Sequence, residues 1–241
     1  MIIIPARLES TRLPKKVLCD LGGKPMIVRT AQNAQKVDEV VVACDNEEIA
    51  QVCRAHHITS VLTAKSHSSG TDRCAEAARI LGLKDDSIII NLQADEPFIE
   101  SKVLETLIGL TKESNAFVNT LAKVIPPEKI ADTNLVKVVI DVRKHALYFS
   151  RLGVPYARDG VNDKILSSYP YLGHLGLYGF RKQCLDEFCA LPQSPLEHIE
   201  KLEQLRALYH SKTIALEIVQ TNSVGIDTPE DLYEAQRRFG I

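Results

Sequence analysis

Short apolar runs separated by polar turns alternate with amphipathic stretches through the first half of the chain. Ile2, Ile3 and Ile4 open it as a β-branched run, which reads as a buried strand stopped by Pro5. Apolar runs over 39–43, 58–62, 87–92 and 116–124 predict further strands. Between them, the segment after Pro25, residues 47–56, the stretch following Ser69 and residues 100–113 carry helical patterns. Alternating strands and helices predict an α/β fold with a doubly wound, mostly parallel sheet.

From residue 136 the pattern changes. Residues 136–141 and 146–151 read as an antiparallel pair, 154–168 as a loop over the site, and 174–181 as a strand with alternating faces. The expectation is therefore an antiparallel insert serving as a substrate lobe or dimer contact. Ser194, Pro195 and Glu197 form a capping-box signature for a helix running to about Tyr209, with Leu196, Ile199, Leu202, Leu205 and Leu208 buried. Residues 213–220 predict a strand, and Thr228 with Pro229 and Asp231 starts a last helix.

Charged positions add chemistry to this plan. The loop after the first strand carries Arg7, Arg12, Lys15 and Lys16, and ligands of open α/β sheets bind beyond the carboxyl ends of strands. Four cations there predict an anionic ligand, a phosphate chain above all, although neither GxxxxGK[ST] nor GxGxxG is present. Asp95 and Glu96 follow the most apolar strand, a suitable place for magnesium, which prefers a few carboxylates plus phosphate and water. Asp227 stands just outside the last helix, free to ligate. Asp45, at another strand's end, serves equally as a helix cap or as a ligand contact, and Ser69-Gly70 reads as a plain cap or as an approach to a ligand. Glu200, Glu203 and Gln204 share one face of their helix, which alone would be a solvated face.

Totals narrow the classes. With 29 basic and 31 acidic residues in 241, composition gives no support for nucleic-acid binding. No apolar run approaches the ~20 residues of a membrane span. The six cysteines show no CxxC pair and read as reduced core residues. His56 and His57, being adjacent, make a poor metal pair. A soluble, cytoplasmic protein is expected.

The loop Pro-Ala-Arg-x-x-Ser-Thr-Arg-Leu-Pro-x-Lys at 5–16 resembles the signature of sugar nucleotidyltransferases that make CMP-activated acidic sugars. So do Ser-Gly-Thr-Asp-Arg at 69–73 and Gln-Ala-Asp-Glu-Pro at 93–97. Ala-Leu-Tyr-Phe-Ser-Arg at 146–151, His-Leu-Gly-Leu-Tyr-Gly at 174–179 and the block at 194–206 sharpen this to the 3-deoxy-manno-octulosonate (Kdo) cytidylyltransferases, over nearly the whole chain. The resemblance implies one nucleotidyltransferase domain over 1–241, with a nucleotide half at about 1–125 and a sugar and dimer lobe at about 126–220.

It also implies CMP transfer from CTP to the anomeric hydroxyl of Kdo, releasing diphosphate, for lipopolysaccharide synthesis in a Gram-negative bacterium. By the same likeness Lys16, Asp95 and Asp227 are catalytic, and Asp95 and Asp227 hold Mg²⁺. Ala6, Arg7, Arg12, Lys16, Ser69, Gly70 and Arg73 contact the nucleotide. Gln93, His174, Tyr178, Glu203 and Gln204 contact the sugar, with Arg151 or Arg158 facing its anionic side. Relatives are dimers, so a homodimer is expected.

Three positions depart from the family pattern, one of them Val17 in place of a proline. Lys15 replaces a glycine, which predicts a less tightly turned loop. Ala94 replaces another, and must adopt backbone angles an L-residue tolerates. Another acidic sugar, such as amino-Kdo or a nonulosonate, and a nucleotide-binding module without turnover are the competing readings. No general base is identified.

Overall fold

A computed structural model describes residues 1–10, 13–223 and 225–240. Its first strand, β1 (Ile2–Ala6), is buried along its whole length and feeds two cores by alternation. Ile2, Ile4 and Ala6 face one core, and Ile3 faces the other. Helices α1 (Met26–Ala34) and α2 (Glu47–Ala55) cover the first face, and α3 (Gly70–Ile80) covers the second. α4 (Ser101–Glu113) returns to the first. A strand apolar on both sides requires cover of this kind.

The sheet runs in the order β3 (Ser60–Leu62), β2 (Val40–Cys44), β1, β4 (Ile88–Asn91), β8 (Leu172–Arg181), β5 (Val118–Val124), β9 (Ile214–Ile218). β6 (Lys137–Ile140) pairs with β8 and with β7 (Ala146–Ser150). β1, β2, β3 and β4 are mutually parallel, as are β5 and β9, while β8 opposes β4, β5 and β6. The α/β architecture with a mostly parallel sheet and an antiparallel insert is present. The third strand of the insert is no appendage, because β8 lies between β4 and β5. From β1 the chain moves outward to β2 and β3; from β4 it moves the other way. The crevice between the carboxyl ends of β1 and β4 is thus a topological switch point, where such sheets bind ligands.

Three sequence expectations are corrected. Pro5 does not end β1, which pairs with β2 through Ala6. Main-chain groups of Met1 and Ile3 face β4, so those of Pro5 face the same way. Pairing with β4 has already stopped at Ile3, and the N–H that proline lacks is not needed.

The helix expected from Pro195 to Tyr209 is broken into α7 (Pro195–Glu200) and α8 (Leu205–Tyr209). Glu197 is paired twice with Arg206, at 2.6 and 3.0 Å, and both are buried. In one straight helix nine residues span about 13.5 Å and end on opposite faces. The pair can close only if the chain turns back, which it does at Lys201 with φ 55°. Ile199, expected inside, is consequently 78% exposed.

The loop at 154–168 contains a short helix, α5 (Asp163–Ser168), capped by the side chain of Asn162. α6 (Lys182–Ala190) packs on the second core, and α9 (Pro229–Phe239) starts with the expected capping box between Thr228 and Asp231.

Candidate active site

A cleft of about 380 Å³ opens at the β1/β4 switch point. Pro5, Ala6 and Arg7 line it from the end of β1, and Gln93, Ala94 and Asp95 from the end of β4. Ser69, Gly70 and Arg73 come from the start of α3. A Cβ added to Gly70 would stand 3.0 Å from the Pro5 ring, so only glycine lets this helix start sit so close to β1. Ser69 caps α3 by accepting the Asp72 N–H, in the place expected of it.

Two basic side chains do different work here. Arg73 is 3% exposed and donates to Thr63 Oγ1 and the Ala64 carbonyl, with Asp45 3.5 Å away. Asp45 in turn accepts the Leu8 N–H at 3.0 Å, which ties the β1 loop to the floor of the cleft. Asn46, one residue on, is the cap of α2. Lys16 instead reaches across the cleft. Its Nζ donates to Asp95 Oδ2 at 2.5 Å and to Asp227 Oδ1 at 2.8 Å, from partners 79 and 211 positions away. Burial works against its charge, but the two carboxylates outweigh it and hold its pKa above the usual lysine value.

Both carboxylates are braced from behind. The Ala94 carbonyl accepts from the buried Thr30 hydroxyl at 2.8 Å, and the Asp95 carbonyl from the Ile226 N–H at 2.9 Å. Ala94 keeps a negative φ, so the turn accommodates it without strain. Lys15 does occupy the left-handed region, at φ 50°, which is where a glycine is at ease. The loop is therefore turned tightly despite the substitution, and the Lys15 ammonium is held by both carboxylate oxygens of Glu48. Glu96, next to Asp95, points to Ser223 Oγ at 2.8 Å; burial, with the Asp95 charge added, pushes its carboxyl up to about 7.

Of the residues expected at the sugar, Gln93 lines this cleft, while His174, Tyr178, Glu203 and Gln204 lie outside it. Glu203 and Gln204 sit in the turn between α7 and α8, Glu203 half-buried and Gln204 buried, with Tyr178 Oη donating to Gln204 Oε1 at 3.1 Å. Hydrogen bonds nevertheless connect them to the cleft. Gln93 Nε2 donates to Asn91 Oδ1, Asn91 Nδ2 to Thr71 Oγ1, and Thr71 Oγ1 to Glu203 Oε2 at 2.7 Å. Neither Asn91 nor Thr71 was given a role from the sequence; Thr71 stands within the 69–73 motif, and Asn91, at the end of a strand, gives no signal there. Glu203 Oε1 and Gln204 Nε2 lack a hydrogen-bond partner, an arrangement that is costly unless a ligand supplies one. Arg158 pairs with Asp159 on the surface, and Arg151 is turned toward main-chain carbonyls. Arg12 lies outside the described residues. Ser10, a named position of the loop motif, also lines the cleft, as do His67 and Ser68, which the motifs did not single out.

A family model described as cytidylyltransferase matches residues 1–214. The chain belongs to the cytidylyltransferase family. Among curated members, the 3-deoxy-manno-octulosonate cytidylyltransferase of Helicobacter pylori (strain 26695) is 56% identical over 240 residues, 99% of this chain and 97% of that one. The enzyme of that name from Wolinella succinogenes is 50% identical, covering 100% and 99%. A solved cytidylyltransferase structure, CMP:2-keto-3-deoxy-manno-octonic acid synthetase complexed with CTP, superposes with a TM-score of 0.90 at 37% identity, over 99% and 97% of the two chains. Another solved cytidylyltransferase, from Leptospira borgpetersenii, shares the fold at a TM-score of 0.59 and 16% identity.

His174 gives this cytidylyltransferase an acid-sensitive point. Thr120 Oγ1 gives its one proton to a carbonyl, that of Leu177 at 2.7 Å, so the 2.9 Å contact to His174 Nε2 requires the ring to donate. Burial holds the ring neutral, with its pKa lowered to about 3. Between that value and the unfolded histidine's ordinary range, the unfolded chain binds the extra proton. Stability from this group is therefore full above about pH 6.5 and is lost as pH falls below it, by about 2 kcal/mol at pH 5. Denaturant unfolding at pH 5 and pH 8 checks this: His174→Gln should flatten the difference by that amount, and an unchanged pH dependence rejects it.

Proposed function

We propose that this enzyme transfers CMP from CTP to the anomeric hydroxyl of 3-deoxy-D-manno-octulosonate, giving CMP-Kdo and diphosphate. The observation that carries the reading is the convergence of Asp95 and Asp227 on Lys16 beside a basic strand-end loop. That loop and the start of α3 take the triphosphate, with Arg7, Lys16 and the N–H groups at Ser69 and Gly70 as its partners. Transfer of this kind needs the sugar oxygen in line with the α-phosphorus and charge neutralised around the leaving diphosphate. Lys16, kept charged by its two partners, suits the second task.

The donor set fits a hard divalent cation. Two carboxylate oxygens lie no further apart than the sum of their distances to one ammonium, and the cleft has room for phosphate oxygens beside them. Among the described residues no cluster of three or more His, Cys, Asp or Glu could hold a metal by itself, so ligand oxygens would complete the shell. Mg²⁺ is the ion that prefers this sharing. When bound, it neutralises phosphate charge and lowers the pKa of a coordinated hydroxyl.

The chain of hydrogen bonds from Gln93 to Glu203 supports a sugar site reaching from the cleft toward Tyr178 and the 201–204 turn. Gln204→Ala should then raise the KM for Kdo about tenfold or more, since an unpaired buried group costs about 1–3 kcal/mol. CTP titrated without sugar should bind normally; equal loss of CTP affinity would move this turn to the nucleotide half. In our reading the nucleotide half spans about 1–125 and the sugar lobe about 126–220. Leu147, Leu152 and Tyr156, exposed on that lobe, suit a homodimer contact, which sedimentation at several concentrations tests. Among the described residues no helix is long and apolar enough to cross a membrane, and we place the enzyme in the cytoplasm with its soluble substrates. Diphosphate release from CTP with Kdo, amino-Kdo or a nonulosonate tests the function directly; release only with another sugar, or none at all, overturns it.

A further inference from the structure

Where β7 ends, Ser150 and Arg151 make hydrogen bonds that serve neither the strand nor the core. Ser150 Oγ donates to Glu200 Oε1 at 2.8 Å, and the Arg151 main-chain N–H to Glu200 Oε2 at 3.0 Å. The Arg151 guanidinium then turns to main-chain carbonyls. Its Nε donates to that of Glu200 at 2.8 Å, Nη2 to that of Lys201 at 3.4 Å, and Nη1 to that of Thr133 at 3.2 Å. Behind it, the buried ammonium of Lys137 holds the carbonyls of Asp132, Leu135 and Arg151 itself. The guanidinium lies outside the cleft, and all three of its nitrogens are used.

Two of the carbonyls it holds, those of Glu200 and Lys201, end α7, where unpaired acceptors and the negative end of the helix dipole favour a cation. One of them belongs to Lys201, the left-handed residue at which the chain reverses. A side chain larger than glycine stays in that conformation only when its surroundings over-determine it. Two residues further on come Glu203 and Gln204. Glu203 bonds Thr71 and Gln204 bonds Tyr178, and each keeps one atom without a hydrogen bond, Glu203 Oε1 lying 3.9 Å from Arg206 Nη2. Whatever fixes Lys201 fixes where those two atoms point.

We infer that Arg151 is a positioning residue for sugar recognition. From the antiparallel lobe it fixes the 201–204 turn and so aims Glu203 and Gln204, without touching the sugar itself. The inference rests on the function proposed above. It accounts for the contacts that an arginine at the end of β7 makes with a turn three helices further along the chain, and it separates Arg151 from a direct contact with the sugar's carboxylate.

The test combines kinetics with amide hydrogen exchange at Leu202 and Leu205, whose N–H groups bond within the turn. Arg151→Ala should raise the sugar KM about tenfold, the equivalent of one charge-assisted hydrogen bond, and leave the CTP KM within about twofold. Exchange at both amides should accelerate. Arg151→Lys should behave like Arg151→Ala, because a single ammonium cannot span three carbonyls. Combining Arg151→Ala with Glu200→Gln should cost little more than Arg151→Ala alone.

Recovery of sugar use by Arg151→Lys, losses that multiply with Glu200→Gln, or slow exchange alongside poor sugar use would each overturn the inference in favour of direct contact. A CTP KM that rises in step would also overturn it. Should Arg151→Ala fail to fold, Ser150→Ala removes one hydroxyl from the same brace; normal exchange and normal sugar KM in that variant refute the idea. A wild-type enzyme that releases no diphosphate from CTP and Kdo defeats the functional reading instead, and the exchange measurement still decides what Arg151 holds.

Discussion

Asp95→Asn and Asp227→Asn are each expected to lower turnover by about 10²–10³-fold, with the double variant hardly worse than either. The two carboxylates reach the same point from positions 132 apart in the chain, and both meet the Lys16 ammonium there. Asparagine keeps the shape, and its carbonyl oxygen still accepts a hydrogen bond, so a structural role would survive. What disappears is negative charge directed at one centre. A cation shared by two ligands cannot be retained by the one that remains, hence the expected non-additivity. Glu96→Gln is the control in the same turn: its carboxyl is directed to Ser223, and it should act mildly. Substantial magnesium-dependent activity in both single variants, or losses that multiply, would end the shared-ion reading.

Lys16→Ala should be nearly as severe, lowering kcat/KM for CTP by about a hundredfold while the sheet remains folded. Its ammonium touches both of the carboxylates proposed to hold the ion, and it lies outside the two main cores. Its loss removes a cation from the triphosphate side and also takes away the positive charge that bonds both Asp95 and Asp227. The second effect adds a signature that simple phosphate binding lacks. Divalent ions should raise the melting temperature of Lys16→Ala more than that of the wild type, because in the wild type the ammonium already occupies the place between the two carboxylates. Wild-type CTP kinetics would remove Lys16 from the site. Lys15→Ala, whose ammonium is already occupied by Glu48, should have a much smaller effect on CTP use.

Much of this arrangement was legible because local chemistry and tertiary role coincided. Ile2, Ile3 and Ile4 could only be a strand buried on both sides, and the cations and carboxylates that follow strands had to gather at the sheet's carboxyl edge. The caps at Ser69, Ser194 and Thr228 were equally plain, since a hydroxyl at the start of an apolar pattern has few other uses. Elsewhere the deciding interaction was remote.

Leu196, Ile199, Leu202, Leu205 and Leu208 repeat at helical spacing, yet the Glu197–Arg206 pair and the contacts of Arg151 impose a reversal that the spacing does not encode. Lys201 is no glycine, so the left-handed turn carries no mark in the sequence. The central place of β8 was hidden for a related reason. Its alternating pattern announces a strand but not which two strands it will separate. Asn91 and Thr71, the links between cleft and sugar turn, look like ordinary interior residues until the sheet brings them together.

The segment that carries Asp227 has a consequence for the making of the enzyme. It rests on its own small core, Leu21 and Met26 from near the start of the chain against Ile226 and Ala235 from near its end. Among the described residues, every strand and most of both larger cores are complete by Ile218, before that segment is reached. On our reading of Asp227, a chain that has reached Ile218 during synthesis holds its sheet but still lacks one of the two carboxylates proposed to take the cation. A break after β9, by premature termination or by a protease, is then expected to leave a folded platform that consumes no nucleotide. Folding of the sheet and completion of the site would be separate events in this chain.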